Sequence, residues 1–173
     1  MPAKVRSYRK TNPNFVSVFK HSAMTATARQ MHSVADEFRD TLQEVIRSQL
    51  MAWKPLSPGY QKAKKKSGLD ERILIATGEY VSKICVMREE TKNGVLYSVG
   101  FPSGALHEGS GLPLHVLARV HEFGSSKAHV PPRPHWRPTI SMFMSRVPRM
   151  TKDIQEDIIR ALHKSYKRRF RNR

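Results

Sequence analysis

Five histidines, at positions 107, 115, 121, 129 and 135, fall in one third of the 173-residue chain, with Glu108 and Glu122 among them. Imidazole and carboxylate are the side chains that hold zinc, so metal-assisted hydrolysis is the first chemistry to weigh. The successive gaps of 8, 6, 8 and 6 residues argue against it. A zinc helix of the H-E-x-x-H type needs two imidazoles one turn apart, and no such motif is present. His121 and Glu122, adjacent in a helix, point about 100° apart. These residues read as surface or interface histidines. Gly109-Ser110-Gly111 is too short for a phosphate cradle, and neither a P-loop, a G-x-G-x-x-G nor a G-x-S-x-G occurs. The single cysteine, Cys85, sits in the apolar run ICVM, the opposite of a thiolate-stabilising setting, and it excludes an intramolecular disulfide. No catalytic residue, cofactor or metal is expected, and the chain reads as a non-enzyme.

Charge supplies the second kind of chemistry. Lysines and arginines outnumber acids by 31 to 14, a formal net charge of +17 that attracts a polyanion, an acidic protein or an acidic membrane surface. Lys4, Arg6, Arg9 and Lys10 form one cluster, and Lys62, Lys64, Lys65 and Lys66 a second. Lys164, Lys167, Arg168, Arg169, Arg171 and Arg173 form the third, a candidate contact for DNA or an acidic partner. No helix-turn-helix, zinc finger or aromatic-studded sheet accompanies them, so contact with nucleic acid would be to phosphates, unspecific and salt-dependent. No apolar stretch approaches a membrane span and the N-terminus lacks a signal peptide's apolar core, which points to a cytoplasm-like milieu and no membrane.

The elements that position these residues follow from periodicity. Met31, Val34, Ala35, Phe38, Leu42, Val45 and Ile46 keep one helical face over residues 22–52. Ser57-Pro58 opens a short basic helix over 58–66 that Ser67-Gly68 stops. Thr77-Gly78 interrupts an apolar run, after which a helical turn carries Tyr80 and Val81 inward. Asn93-Gly94 is a strong hairpin signal, with strands expected over 83–89 and 95–101. Tyr97 and Phe101 share a strand face and read as core. Residues 102–113 form a glycine-rich loop, expected to be functional or mobile. Leu114, Leu117 and Val120 fit a helix that Gly124 stops. A stripe from Ile140 to Tyr166 marks the last helical stretch, which Pro148 kinks or breaks near Arg146.

Between these helices, Pro131, Pro132, Pro134 and Pro138 deny the chain a helix interior or a central strand. The expectation is an extended arm over 125–139, close to polyproline II, with Trp136 between Arg133 and Arg137. Either the arm reaches a neighbouring surface, or it folds back on its own domain as a strand-like segment before the last helix.

Three islands then suggest a family: WKPLSP with its lysine-rich sequel (53–66), ILIATGEYVSKI (73–84) and ARVHEFGSSKAHVPPRPHWRPTI (118–140). Their types and order resemble the virion-morphogenesis or tail-completion proteins of tailed bacteriophages, the neck or head-tail joining proteins. The last island is the most specific, with Glu122-Phe123-Gly124 followed by Arg133-Pro134 and Arg137-Pro138. His135-Trp136 and Glu79-Tyr80 depart from the commoner pattern of that family.

The resemblance implies an α+β fold, with a long N-terminal helix and a C-terminal helix packed on a small antiparallel sheet that contains the hairpin. It implies a single domain over 21–162, flanked by a basic N-terminal extension (1–20) and a basic C-terminal tail (163–173). The function implied is a structural, tail-terminator-like subunit of a homo-oligomeric neck ring, sixfold by preference with twelvefold open, that completes the tail and joins it to the DNA-filled head. Its partners would be neighbouring neck, portal-side or tail-tube proteins, with unspecific contact to genomic DNA in the channel. It would sit in the virion, after assembly in the host cytoplasm. Phe123, Arg133, Pro134, Trp136, Arg137 and Pro138 are the candidate subunit interface, with Trp136 buried by the neighbour and Arg133 or Arg137 paired with its acids. The competing class is a ribosomal- or nucleoid-like nucleic-acid-binding protein.

Overall fold

A computed structural model describes residues 13–92 and 94–170. The chain is α+β. In order, it contains α1 (Pro13–Arg47), α2 (Pro58–Lys66), α3 (Glu79–Ser82), β1 (Cys85–Thr91), β2 (Gly94–Gly100), α4 (Leu114–Phe123), α5 (Trp136–Met144) and α6 (Val147–Phe170). Two compact units share it: Met31–Met150, and Met1–Gln30 together with Thr151–Arg173. The domain limits expected after residues 20 and 162 fall inside α1 and α6. Lys4, Arg6, Arg9, Lys10, Arg171 and Arg173 lie outside the described residues.

The smaller unit is helical over its described part. Ala26 is buried, the Gln30 amide donates to the Asp157 carboxylate, and Arg160 pairs with that same carboxylate. None of its helices, nor any other described one, is long and apolar enough to cross a membrane.

The larger unit is built on the apolar stripe of α1. Leu42 and Ile46, one turn apart, are fully buried and pack with Trp53, Ile75, Tyr80, Val81, Ile84, Leu114 and Ala118. Each such aliphatic side chain contributes about 1.5–3 kcal/mol by leaving water. The helix ends at Arg47, short of the expected 52, because Gln49 adopts a positive φ of 53°. The Gln49 amide stabilises that turn: it donates to the Ile46 and Ile73 carbonyls and accepts the Ile73 N–H at 2.8 Å.

Local signals set the next elements. Ser57 caps α2, its hydroxyl accepting from the Tyr60 N–H, with Pro58 at the first helical position. Gly78, at φ 81°, turns the chain into α3, which buries Tyr80 and Val81. The hairpin is antiparallel, from Cys85 opposite Gly100 to Thr91 opposite Gly94, so both strands differ by one or two residues from their expected limits. Phe101 joins the core periphery, and Tyr97 is half-buried with its ring 5.2 Å from that of His32. The loop over 102–113 is tied by a bridge between Leu106 and Pro113 and by the Leu114 N–H to the Ala105 carbonyl. The chain breaks between α5 and α6 at Ser145-Arg146, two residues ahead of Pro148.

The proline segment folds back on its own unit. After α4, Ser125 and Val130 exchange backbone hydrogen bonds around a tight turn, and the Arg133 N–H then reaches the His121 carbonyl at 2.6 Å. Gly124 makes this reversal feasible: its φ is 78°, and a Cβ there would sit 3.0 Å from atoms of Pro132 and Val130. The extended arm expected over 125–139 therefore ends at His135, and Trp136 opens α5. Pro138 is accommodated because it is the third residue of that helix, where the N–H has no intrahelical acceptor to lose.

Candidate interaction site

The three sequence islands meet at the start of α5. From the first, the Trp53 indole N–H donates to the Pro134 carbonyl at 2.8 Å. From the second, the Tyr80 hydroxyl lies 2.7 Å from His135 Nε2. His135 Nδ1 is 2.9 Å from the Arg133 carbonyl, which can only accept, so Nδ1 carries the proton and Nε2 accepts from Tyr80. The Trp136 indole N–H also approaches the Tyr80 oxygen, at 3.4 Å. Burial pushes the Tyr80 phenol up, and it pushes the fully buried His135 imidazole down. Both shifts favour the neutral forms.

Glu122 supplies what α5 lacks locally. No side chain next to that helix caps its N-terminus. Glu122, at the end of α4, does so from a distance: Oε2 accepts the His135 and Trp136 N–H groups at 2.8 and 3.0 Å, and Oε1 accepts the Arg137 N–H at 3.1 Å and its Nε at 3.0 Å. Burial alone would raise this carboxyl's pKa, but the three backbone donors and the Arg137 guanidinium outweigh it and hold the carboxyl below its ordinary value. A negative charge at a helix N-terminus is also favoured by the helix dipole.

Arg133, two residues ahead of His135, is in the opposite state. It is 8% exposed, its Nε has no hydrogen-bond partner, and no carboxylate pairs with it among the described residues. Burial pulls its pKa down, with only the Tyr60 phenol opposing. Desolvation lowers the pKa of neighbouring Lys64, which is 3% exposed and donates to the Arg72 carbonyl at 2.7 Å; Asp70 opposes that shift and Arg133 adds to it. Burial brings His121 down to about 4, helped by His135, Arg133 and His107, and its Nδ1 is also buried without a partner. Arg133 and His121 border an open groove of about 1310 Å³, lined by 54–57 and Tyr60 on one side and by 123–126 and 128–133 on the other.

An outward strip starts at Phe123, on the rim of this groove. The Arg137 guanidinium sits 4.7 Å over the centre of the Phe123 ring, and Phe123 is 60% exposed. Ile140 and Met144, both exposed, follow Arg137 along one face of α5.

The expected site residues thus divide. Phe123 and Arg137 are exposed, and the acid that pairs with Arg137 is its own chain's Glu122. Trp136 is half-buried against the core of its own unit, its ring 6.1 Å from Phe101. Part of its surface is covered within its own unit, so Trp136→Ala would cost packing as well as any interface. Pro134 and Pro138 are half-buried. Lys164, Lys167 and Arg168 are exposed near the end of α6, which also includes Arg169. Lys64 is no part of a solvated cluster, since its ammonium is buried under the 72–75 turn. The five histidines converge on no metal: no group of three or more His, Cys, Asp or Glu is placed to hold an ion among the described residues.

The reading missed Glu122 as a cap, Lys64 as a buried clamp and Arg133 as an unpaired charge. A signal for the first was present. His135 stands where α5 needs a Ser, Thr, Asp or Asn, so an acceptor had to come from elsewhere.

An uncharacterized protein of Methanocaldococcus jannaschii is 29% identical over 118 residues, which cover 68% of this chain and 78% of that protein. No protein-family model matches the chain, and no solved structure matches it.

Proposed function

We propose that this chain is the structural subunit of a ring in the neck or upper tail of a tailed virus, completing the tail and joining it to the DNA-filled head. The carrying observation is that the three motif islands converge on one cluster whose hydrogen bonds fix the fold. Motifs of that kind specify an architecture, as an assembly subunit requires. The outward strip of Phe123, Arg137, Ile140 and Met144 has the aromatic, arginine and apolar make-up of a subunit interface. Sixfold closure is the preferred symmetry, with twelvefold as the alternative. The chain has no enzymatic role in this reading, and its place is the virion.

Electron microscopy of the purified full chain, alone and with tails, tests this. Closed rings, or density added at the end of a tail tube, are expected. A protein that stays monomeric, leaves tails unchanged and binds nucleic acid at moderate salt would instead be a nucleoid-like binder. Within the ring, Lys164, Lys167 and Arg168 are exposed and suited to DNA phosphates in the channel. Removing residues 163–173 should then make DNA affinity fall less steeply with salt, and an unchanged slope removes that contact.

A further inference from the structure

Arg133 is a charge without its counterion. It lines the groove between the α2 entry and the 123–133 segment, its Nε is buried without an acceptor, and the ionisable groups beside it are the Lys64 ammonium and the neutral His121 imidazole. A buried guanidinium left so is destabilising until an anion meets it, and its planar fork is matched by a carboxylate. The groove walls say which kind of molecule brings that anion. Leu56, Phe123, Val130 and Pro132 give it an apolar lining, with Lys54 as its other cation. A nucleic-acid strand is tracked by repeated exposed cations along its phosphates, whereas here one cation is sunk between apolar walls.

We propose that the groove seats an extended segment of a neighbouring protein chain and that a carboxylate of this segment pairs with Arg133. The proposal rests on the reading of the chain as an assembling subunit and names the contact that completes it. Arg137 is not that contact, because Glu122 already occupies it.

The test follows the Nε–H resonance of Arg133 by NMR in the full chain labelled at arginine nitrogen. The probes are the peptide acetyl-Ala-Leu-Glu-Leu-Ala-amide, its Glu-to-Gln counterpart, inorganic phosphate and a short oligothymidylate. The glutamate peptide should move this resonance saturably and about tenfold more tightly than the glutamine peptide, the worth of one charged hydrogen-bonded pair. With uniform nitrogen labelling, the backbone-amide shifts that the glutamate peptide induces along the groove of the parent chain should disappear in Arg133→Met while its melting temperature stays at or above that of the parent chain, which separates loss of binding from loss of fold. An unmoved resonance, equal response to the two peptides, or tighter response to phosphate or oligothymidylate overturns the proposal. If rings form while the peptides do nothing, this inference fails and the ring reading stands. If the glutamate peptide binds but neither rings nor tail binding occur, the reverse holds.

Discussion

Glu122 and Arg133 lie on the two sides of one chain reversal, and their charges are treated in opposite ways. Glu122 is 4% exposed and accepts hydrogen bonds from three backbone N–H groups and a guanidinium, so its charge is met within the chain. Arg133 is 8% exposed, its Nε has no acceptor, and no carboxylate pairs with it among the described residues. Burial is nearly equal, so burial does not separate them. The difference is whether the chain supplies the counter-charge, and it separates a residue that builds the fold from one that the fold leaves open to a partner.

The sharpest way to break that contrast is to remove the completed charge. Glu122→Ala leaves the His135 N–H and the first two N–H groups of α5 unpaired in a buried setting and should cost about 3–5 kcal/mol, read by urea unfolding. Glu122→Gln keeps two lone-pair acceptors and should lose less. Equal stability of all three proteins would show that α5 does not depend on this cap.

Acid should act next. The unfolded histidine takes up its proton near 6.5, while His121, facing Tyr80, Arg133, His107 and His135, resists until about 4. The unfolded state therefore binds more protons in this window, so stability present above about pH 6.5 is lost as pH falls toward 4, by about 3 kcal/mol for His121. His135 acts in the same direction. Melting temperature against pH should show that fall, flattened in His121→Phe. A flat profile in the parent chain would contradict the burial of these rings.

The smallest loss is expected from Tyr80→Phe, which keeps the ring packing and deletes the hydroxyl that His135 Nε2 accepts from. About 1–3 kcal/mol should go, the cost of one buried acceptor left unpaired. An unchanged urea midpoint would mean that the hydrogen bond between Tyr80 and His135 adds nothing to stability.

Much of this molecule was legible in local signals. Ser57-Pro58 marked the start of α2, Thr77-Gly78 the turn before Tyr80, and Pro148 the break before α6, because caps and breakers act on neighbouring residues. The reversal at Glu122-Phe123-Gly124 was visible as a helix stop, and the fold-back as one of two alternatives that local signals left open. Its geometry depends on Trp53 and Glu122, which lie 81 and 13 residues from Pro134 and His135. Pro138 misled for a related reason: proline is excluded from a helix interior but not from a first turn, and the cap that starts this turn is remote. Lys64 looked like its three neighbours in a lysine run, and only the 72–75 turn folded over it sets it apart.

The measurement that bears most directly on the contrast is assembly of Arg133→Met beside the parent chain, by sedimentation velocity on the full chain and with added tails. Replacing an unpaired buried charge by an apolar side chain of similar length should leave the subunit as stable or more stable, by about 1 kcal/mol. The account predicts a protein that melts no lower than its parent and neither closes into rings nor joins tails. A variant that assembles as the parent does, or that is destabilised as Glu122→Ala is, would show that Arg133 is completed within its own chain after all.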